Sequence, residues 1–333
     1  MASKIVKRVA INGMGRIGRA SLKIILETPE LELVAVNDIA PIENIAYLLQ
    51  FDSVHGEYDK EIRIEDGSLN VGGVPLQYLQ ERNPEELPWD KLHIDTVIES
   101  TGIFTTYEDA KKHILAGAKN VVLSGPSKSA EVPTVVHGVN TEDGETHIFS
   151  CASCTTNNIS PIIEILGRRI GIKKAIMTTI HAATSSNSTV DSPSKSNPRM
   201  GRSAINNIIP TTTGAAIATT KAMPEFKGKF DGMAVRVPVA TGSLSDMTIL
   251  TERPVTVDEV NKILVEEAAT PRYRKVLKAT FDPLVSTDII KSPYASIADL
   301  SLTKVVDGDL LKVLAWYDNE WGFTNQMIRQ ILE

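Results

Sequence analysis

Cys154 and His181 are the residues of this sequence best suited to covalent chemistry. Ser153-Cys154-Thr155-Thr156-Asn157 directly precedes a helical pattern of Ile159, Ile162, Ile163 and Leu166. A thiol at a helix N-terminus meets unpaired N–H groups that lower its pKa and favour the thiolate, the form that attacks a carbonyl carbon. Pro161 leaves two starts open. As a first-turn residue it would put Cys154 on a loop one turn upstream. The helix is expected to run to Arg168 or Arg169, with Gly171 ending it, and Lys173–His181 alternates as a strand. A helix of about 15 residues climbs roughly 22 Å. A strand of about eight residues returns roughly 26 Å. His181, 27 residues after Cys154, is thus expected at the level of the thiol, as its base. Spacing alone fits equally well a buried inert thiol and a strand-end imidazole bonded to backbone.

A second constellation is Gly13-x-Gly15-x-x-Gly18, with Arg16 and Ile17 inside it. It follows a strand-like VKRVAIN and opens a helical pattern. Gly13 permits a tight turn, Gly15 lets a pyrophosphate approach the backbone, and Gly18 allows close helix–strand packing. A second strand, LELVAVN, ends at Asp38, 20 residues after Gly18. A carboxylate there accepts from ribose hydroxyls and repels a 2′-phosphate, so the expected cofactor is NAD rather than NADP. The competing reading is a plain strand–turn–helix with structural glycines. No GxxxxGK[ST] loop and no HExxH are present, and the six histidines are scattered. Triphosphate chemistry and a metal site are therefore not expected. Cys151-x-x-Cys154 has redox spacing but lacks thioredoxin-like flanks. FSCAS reads as extended, which would hold the two Cα atoms about 10 Å apart. A disulfide needs about 6.8 Å or less. Cys151 is expected to be inert.

These residues need a scaffold. The first half alternates strands (Val6–Asn12, Leu31–Asn37, Thr96–Ser100, Asn120–Ser124) with helices (Arg16–Leu26, Glu108–Ala116). That order implies βαβ crossovers and a parallel sheet. After Ser150 come strand-like Met233–Val239, Ser245–Leu250, Ala298–Thr303 and Leu311–Tyr317, and helices near Val257–Ala268 and Phe323–Leu332. The second half reads as α+β with a mixed or antiparallel sheet. With 333 residues, two domains are expected. Lys and Arg number 35 against 41 Asp and Glu, a net charge of −6 with no basic footprint for nucleic acid. No apolar run reaches the length of a membrane span. MASKIVKRVAINGMG lacks an apolar leader core, and two cysteines suit a reducing cytoplasm.

AINGMGRIGR, VAVND, ASCTTN, MTTIHAAT, NIIPTTTGAA, AVRVP and WYDNEWGF, in this order, resemble phosphorylating glyceraldehyde-3-phosphate dehydrogenase along nearly the whole chain. The resemblance implies a Rossmann NAD-binding domain, residues 1–153 completed by 319–333, and a catalytic domain, residues 154–318. It matches Cys154 to the nucleophile, His181 to the base, and Arg236 to the arginine that binds substrate phosphate. Thr184 matches a second phosphate ligand, with Ser186 at a variable position nearby. Ser153, Thr155, Thr213 and Gly214 match the site for inorganic phosphate. Ser124 joins the cofactor-binding positions, and Asn319 matches the residue that holds the nicotinamide carboxamide. A triose phosphate and inorganic phosphate are the implied substrates, and a homotetramer the implied assembly, with Ala182–Pro210 near the cofactor and a subunit interface. Pro193 matches a position that is small and polar in NADP users. Met14, Cys151, Asn158 and Phe323 stand where Phe, Asn, Cys and Tyr are common. Phe323 is shared with the sister erythrose-4-phosphate dehydrogenases, whereas Thr184 and TTTGAA favour the triose enzyme. A cysteine hydrolase would explain Cys154 and His181 but not the glycine turn. A silent nucleotide-binding protein would not need Cys154, His181 and Arg236 together.

Overall fold

The structure, a computed structural model, describes residues 6–140, 146–194 and 197–333; the first five residues of the N-terminal stretch lie outside it. The described residues form two compact units. One holds the residues up to Val135, the stretch 146–152 and Met327–Glu333; the other holds 136–140 and Ser153–Gln326.

The first unit contains β1 (Lys7–Asn12), α1 (Arg16–Ile25), β2 (Leu31–Asn37), α2 (Ile42–Gln50), β3 (Ile62–Glu65), β4 (Ser68–Val71) and β5 (Val74–Leu79). It continues with β6 (Thr96–Glu99), α3 (Tyr107–Leu115), β7 (Asn120–Leu123) and β8 (Ile148–Ser150). The sheet order is β3-β4-β5-β2-β1-β6-β7-β8. The strands from β5 to β8 pair in parallel, and β3 and β4 add an antiparallel flap. The chain moves outward from β1 through β2 and β5, then returns to β6 on the other side of β1. That reversal opens a crevice at the carboxyl end of β1, where doubly wound sheets bind ligands. The apolar strands fit burial on both faces: Val9, Ala10, Ile11, Val97, Ile98, Val121 and Val122 are buried. Lys7 Nζ donates to the carbonyl of Ile331, tying the last turn of the chain to β1.

The second unit opens with α4 (Cys154–Ile170) and β9 (Ile172–Ala182). Then come β10 (Ile209–Thr212), α5 (Ala215–Ala222), β11 (Phe230–Val237), β12 (Ser243–Thr251) and α6 (Val257–Ala268). The rest is β13 (Leu277–Thr280), β14 (Ser296–Asp299), β15 (Lys304–Val306), β16 (Leu310–Tyr317) and most of α7 (Trp321–Leu332). The sheet order is β10-β11-β9-β12-β16-β14-β13, with β15 on β16. β11 and β9 are parallel, while β12 runs antiparallel to β9 and β16. Burial alternates along β12 and β16, and one core joins Met177, Met247, Ile249 and Val313 of the sheet to Ile162, Ile163 and Leu166 of α4. The expected strand Ala298–Thr303 is shorter and earlier: β14 ends at Asp299, and Leu300–Leu302 is a single 3-10 turn.

Candidate active site and dinucleotide turn

Ser153 caps α4 with extended backbone, its hydroxyl accepting from the N–H of Thr156 at 3.1 Å. Cys154 is therefore the first helical residue, and the loop alternative that Pro161 raised does not occur. Pro161 sits inside α4 and leaves the Asn157 carbonyl without its usual intrahelical donor. The extended reading of FSCAS is also corrected. β8 stops at Ser150, and Ala152 takes a left-handed φ of 60°, which turns the chain before the cap.

β9 brings His181 back. Met177, Thr179 and His181 alternate onto the buried face, the face whose core includes α4. Nε2 of His181 lies 3.4 Å from Sγ of Cys154. Arg236 sits directly beside His181 in the β9–β11 register, and its Nη1 donates to Nδ1 of His181 at 2.6 Å and to the Ala182 carbonyl at 2.9 Å. Tyr317 of β16, a residue the sequence reading missed, stands edge-on to the imidazole with centroids 5.9 Å apart. Its hydroxyl bonds Thr155 at 2.9 Å and Thr179 at 2.8 Å, joining α4 to β9. A buried strand tyrosine carries no spacing signal, which is why it escaped notice.

Burial lowers the pKa of His181 to about 4, the Arg236 charge adds to that, and the Ala182 carbonyl opposes it. The imidazole is neutral near pH 7. Burial pushes the Cys154 thiol up. The Arg236 charge, the Thr155 hydroxyl and the N–H groups of Thr155 and Cys154 pull it down without overtaking burial. The helix N-terminus acts in the expected direction and is outweighed.

The other expected positions of this unit are less closely joined. Thr184 follows β9 and bonds Ser186 at 2.9 Å. Thr213 accepts from the N–H of Ala215 at 3.2 Å, and Gly214 caps α5. Asn319 is buried, and its Oδ1 accepts from Ser243 at 2.9 Å and Thr241 at 3.3 Å. Those two hydroxyls fix which way its amide faces.

In the first unit, Gly13 has φ 95°, and a Cβ there would lie 2.7 Å from the Thr101 nitrogen. A Cβ on Gly18 would lie 1.9 Å from the Gly13 carbonyl oxygen. At Gly15 nothing lies within 4 Å of that position. Gly13, Gly15 and Asp38 line a cleft of about 270 Å³ together with Asn12, Ser100 and Thr101. Arg16, Ile17, Gly18 and Ser124 are outside its lining. Arg16 instead bonds Asp52 at 2.8 Å. Asp38 accepts from the N–H of Met14 at 2.7 Å and of Ala40 at 2.9 Å, which fixes its carboxylate at the cleft. A cleft with one uncrowded glycine, a helix N-terminus and an oriented carboxylate fits a dinucleotide.

Sequence comparison agrees with this chemistry over the length of the chain. A family profile described as the NAD binding domain of glyceraldehyde 3-phosphate dehydrogenase matches residues 7–107, and one described as its C-terminal domain matches residues 153–319. A glyceraldehyde-3-phosphate dehydrogenase of Streptomyces coelicolor is 45% identical over 96% of both chains. Those of Clostridium pasteurianum and Geobacillus stearothermophilus are 44% and 43% identical over 97% and 96% of both. The chain belongs to the glyceraldehyde-3-phosphate dehydrogenase family. As in the name of the first profile, the Rossmann unit is the NAD-binding part of a glyceraldehyde-3-phosphate dehydrogenase, and the mixed-sheet unit carries the family's C-terminal domain. Among the described residues no group of three or more His, Cys, Asp or Glu could hold a metal ion, and no helix is long and apolar enough to cross a membrane.

Proposed function

We propose that this protein is an NAD-dependent oxidoreductase that converts D-glyceraldehyde 3-phosphate and inorganic phosphate to 1,3-bisphosphoglycerate. The observation that carries the reading is the Cys154–His181 contact at 3.4 Å with Arg236 on the far side of the same ring. The sulfur adds to the aldehyde carbon, forming a C–S bond, and the carbonyl oxygen becomes a hydroxyl in a thiohemiacetal. The N–H of Cys154, unpaired at the helix start, donates to that oxygen as it gains charge. His181 takes the hydroxyl proton as the carbon is oxidised to a thioester. NAD, when bound, accepts the hydride lost from that carbon. Phosphate oxygen then attacks the thioester carbon, the C–S bond breaks, and the sulfur leaves as thiolate.

Arg236 suits phosphate because its fork donates along two directions and keeps its charge. Thr184 joins it on the substrate phosphate. Ser153, Thr155, Thr213 and Gly214 serve the inorganic phosphate. Gly13, Gly15, Arg16, Ile17, Gly18, Asp38 and Ser124 serve NAD, with Asn319 on the nicotinamide carboxamide. Support for these roles is the match of each position to the family's motifs. A cytoplasmic homotetramer completes the proposal. The direct test is mass spectrometry of enzyme quenched in acid after mixing with aldehyde and NAD without phosphate. The peptide of Cys154 should carry an acyl group, and phosphate should remove it. An unmodified Cys154 during turnover refutes the mechanism.

A further inference from the structure

An arginine guanidinium carries donors only and keeps its proton at any working pH. Nη1 of Arg236 lies 2.6 Å from Nδ1 of His181. Two N–H donors do not face each other at that distance. Nδ1 therefore presents its lone pair, and the neutral ring carries its proton on Nε2. Nε2 faces the sulfur of Cys154 at 3.4 Å. A ring in that state donates to sulfur and stabilises a thiolate. It has no lone pair at Nε2 to take a proton from a substrate hydroxyl. The proposed reaction needs the other tautomer.

The acceptor for that tautomer is already in place. The Ala182 carbonyl lies 2.8 Å from Nδ1, and Nη1 of Arg236 now bridges the two. Arg236 also has donor capacity to spare: its Nε is buried with no hydrogen-bond partner among the described residues. The remaining neighbour of the ring is Tyr317, edge-on at 81°, its hydroxyl bonded to Thr155 and Thr179. No carboxylate is hydrogen-bonded to His181 among the described residues, so Arg236 and Cys154 are the groups that decide its proton.

We propose that Arg236 is a positioning residue that sets the tautomer of His181, and that a phosphate dianion switches the ring into a base by drawing the guanidinium off Nδ1. The ring stays neutral throughout. Nε2 gives its proton to solvent, Nδ1 takes one, and the new Nδ1–H donates to the Ala182 carbonyl. Without an anion, His181 supports the thiolate; with one on Arg236, its Nε2 lone pair is free for the thiohemiacetal hydroxyl. The site then selects phosphorylated aldehydes by reactivity as well as by binding. This inference rests on Cys154 and His181 being the reacting pair.

The test is NMR of the full chain labelled with 15N at histidine, the His181 signal assigned by difference with His181→Asn. Spectra are taken without phosphate and with inorganic phosphate at the level that saturates turnover. The expected result is Nε2–H without phosphate and Nδ1–H with it. Arg236→Ala should show Nδ1–H in both. The same tautomer in both wild-type spectra overturns the proposal. A second readout is the pre-steady-state burst of NADH from unphosphorylated D-glyceraldehyde, which precedes acyl transfer. Phosphate should speed it at least about tenfold in wild type, within the range a general base supplies, and leave it unchanged in Arg236→Ala. A burst indifferent to phosphate in wild type also overturns it. Turnover of glyceraldehyde 3-phosphate by the same preparation separates the two readings. If it persists while the tautomer does not respond, the switch is wrong and the reaction stands.

Discussion

His181 has a measurable consequence for stability, because it is buried neutral. Its folded pKa, about 4, lies below the ordinary value of 6.5. Between those values the unfolded chain binds the proton and the folded chain does not, so stability falls as pH drops from about 6.5 to about 4. This group accounts for up to about 3 kcal/mol of that fall. His181→Asn should flatten the unfolding free energy over this window by a comparable amount, read by denaturant titration at each pH. The same substitution should lower turnover by roughly 10²–10⁴-fold, as expected for loss of a base. At the other site, Asp38→Gly should narrow the preference for NAD over NADP, measured as the ratio of kcat/KM, because it removes the carboxylate that repels a 2′-phosphate. An unchanged ratio would assign discrimination elsewhere, with Ser192 and Pro193 the next positions to vary. Cys154, His181 and Asp38 were legible because each occupies a fixed place relative to a helix start or a strand end. The Arg236 contact with Nδ1 was not, since register between β9 and β11 depends on 54 intervening residues.

Among the elements, the glycine turn separates fold from function most cleanly. Gly18→Ala must displace the Gly13 carbonyl, which lies 1.9 Å from the new methyl position, and should cost about 3 kcal/mol or more. Gly15→Ala meets nothing within 4 Å, and its cost is confined to a poorer helix cap, about 1 kcal/mol. Thermal unfolding should therefore show a large drop in Tm for the first and a small one for the second. NAD titration should show that Gly15→Ala still loses at least about tenfold in affinity, since its methyl enters the phosphate path. Retained affinity would mean that the pyrophosphate does not pass Gly15. The helix–strand pair that carries Cys154 and His181 was readable from periodicity, and α6 and β2 match their expected spans. α2 and the β3–β5 flap went unread: α2 buries only Ile45 and Leu49, too narrow a stripe to signal, and the flap strands are four to six residues long. The turn at Ala152 was hidden because alanine gives no hint of a left-handed φ.

At the scale of the molecule, the stretch between β9 and β10 exposes Val190, Ile205 and Ile208 at 69%, 61% and 71% of their surface. Three exposed branched side chains in one segment mark a surface that another copy covers in the proposed tetramer. Light scattering of the eluting peak should give a mass near four times 36.3 kDa, and Ile208→Lys should shift it toward smaller species. A monomeric wild type would remove the tetramer from the account. The two-domain order and the parallel-then-mixed sheets were legible from the change of texture near Ser150, while surface meant for a partner was not, because isolated exposed apolar residues are common. The measurement that bears most directly on the central claim is NADH formation from glyceraldehyde 3-phosphate and NAD, with and without inorganic phosphate, in wild type and Cys154→Ser. Wild type should give sustained NADH and an acyl phosphate only with phosphate, and a single burst without it. Cys154→Ser should bind NAD and give neither, since a hydroxyl supplies no anion near pH 7. Cys154→Ser turnover within about tenfold of wild type, or wild-type turnover indifferent to phosphate, would contradict the account.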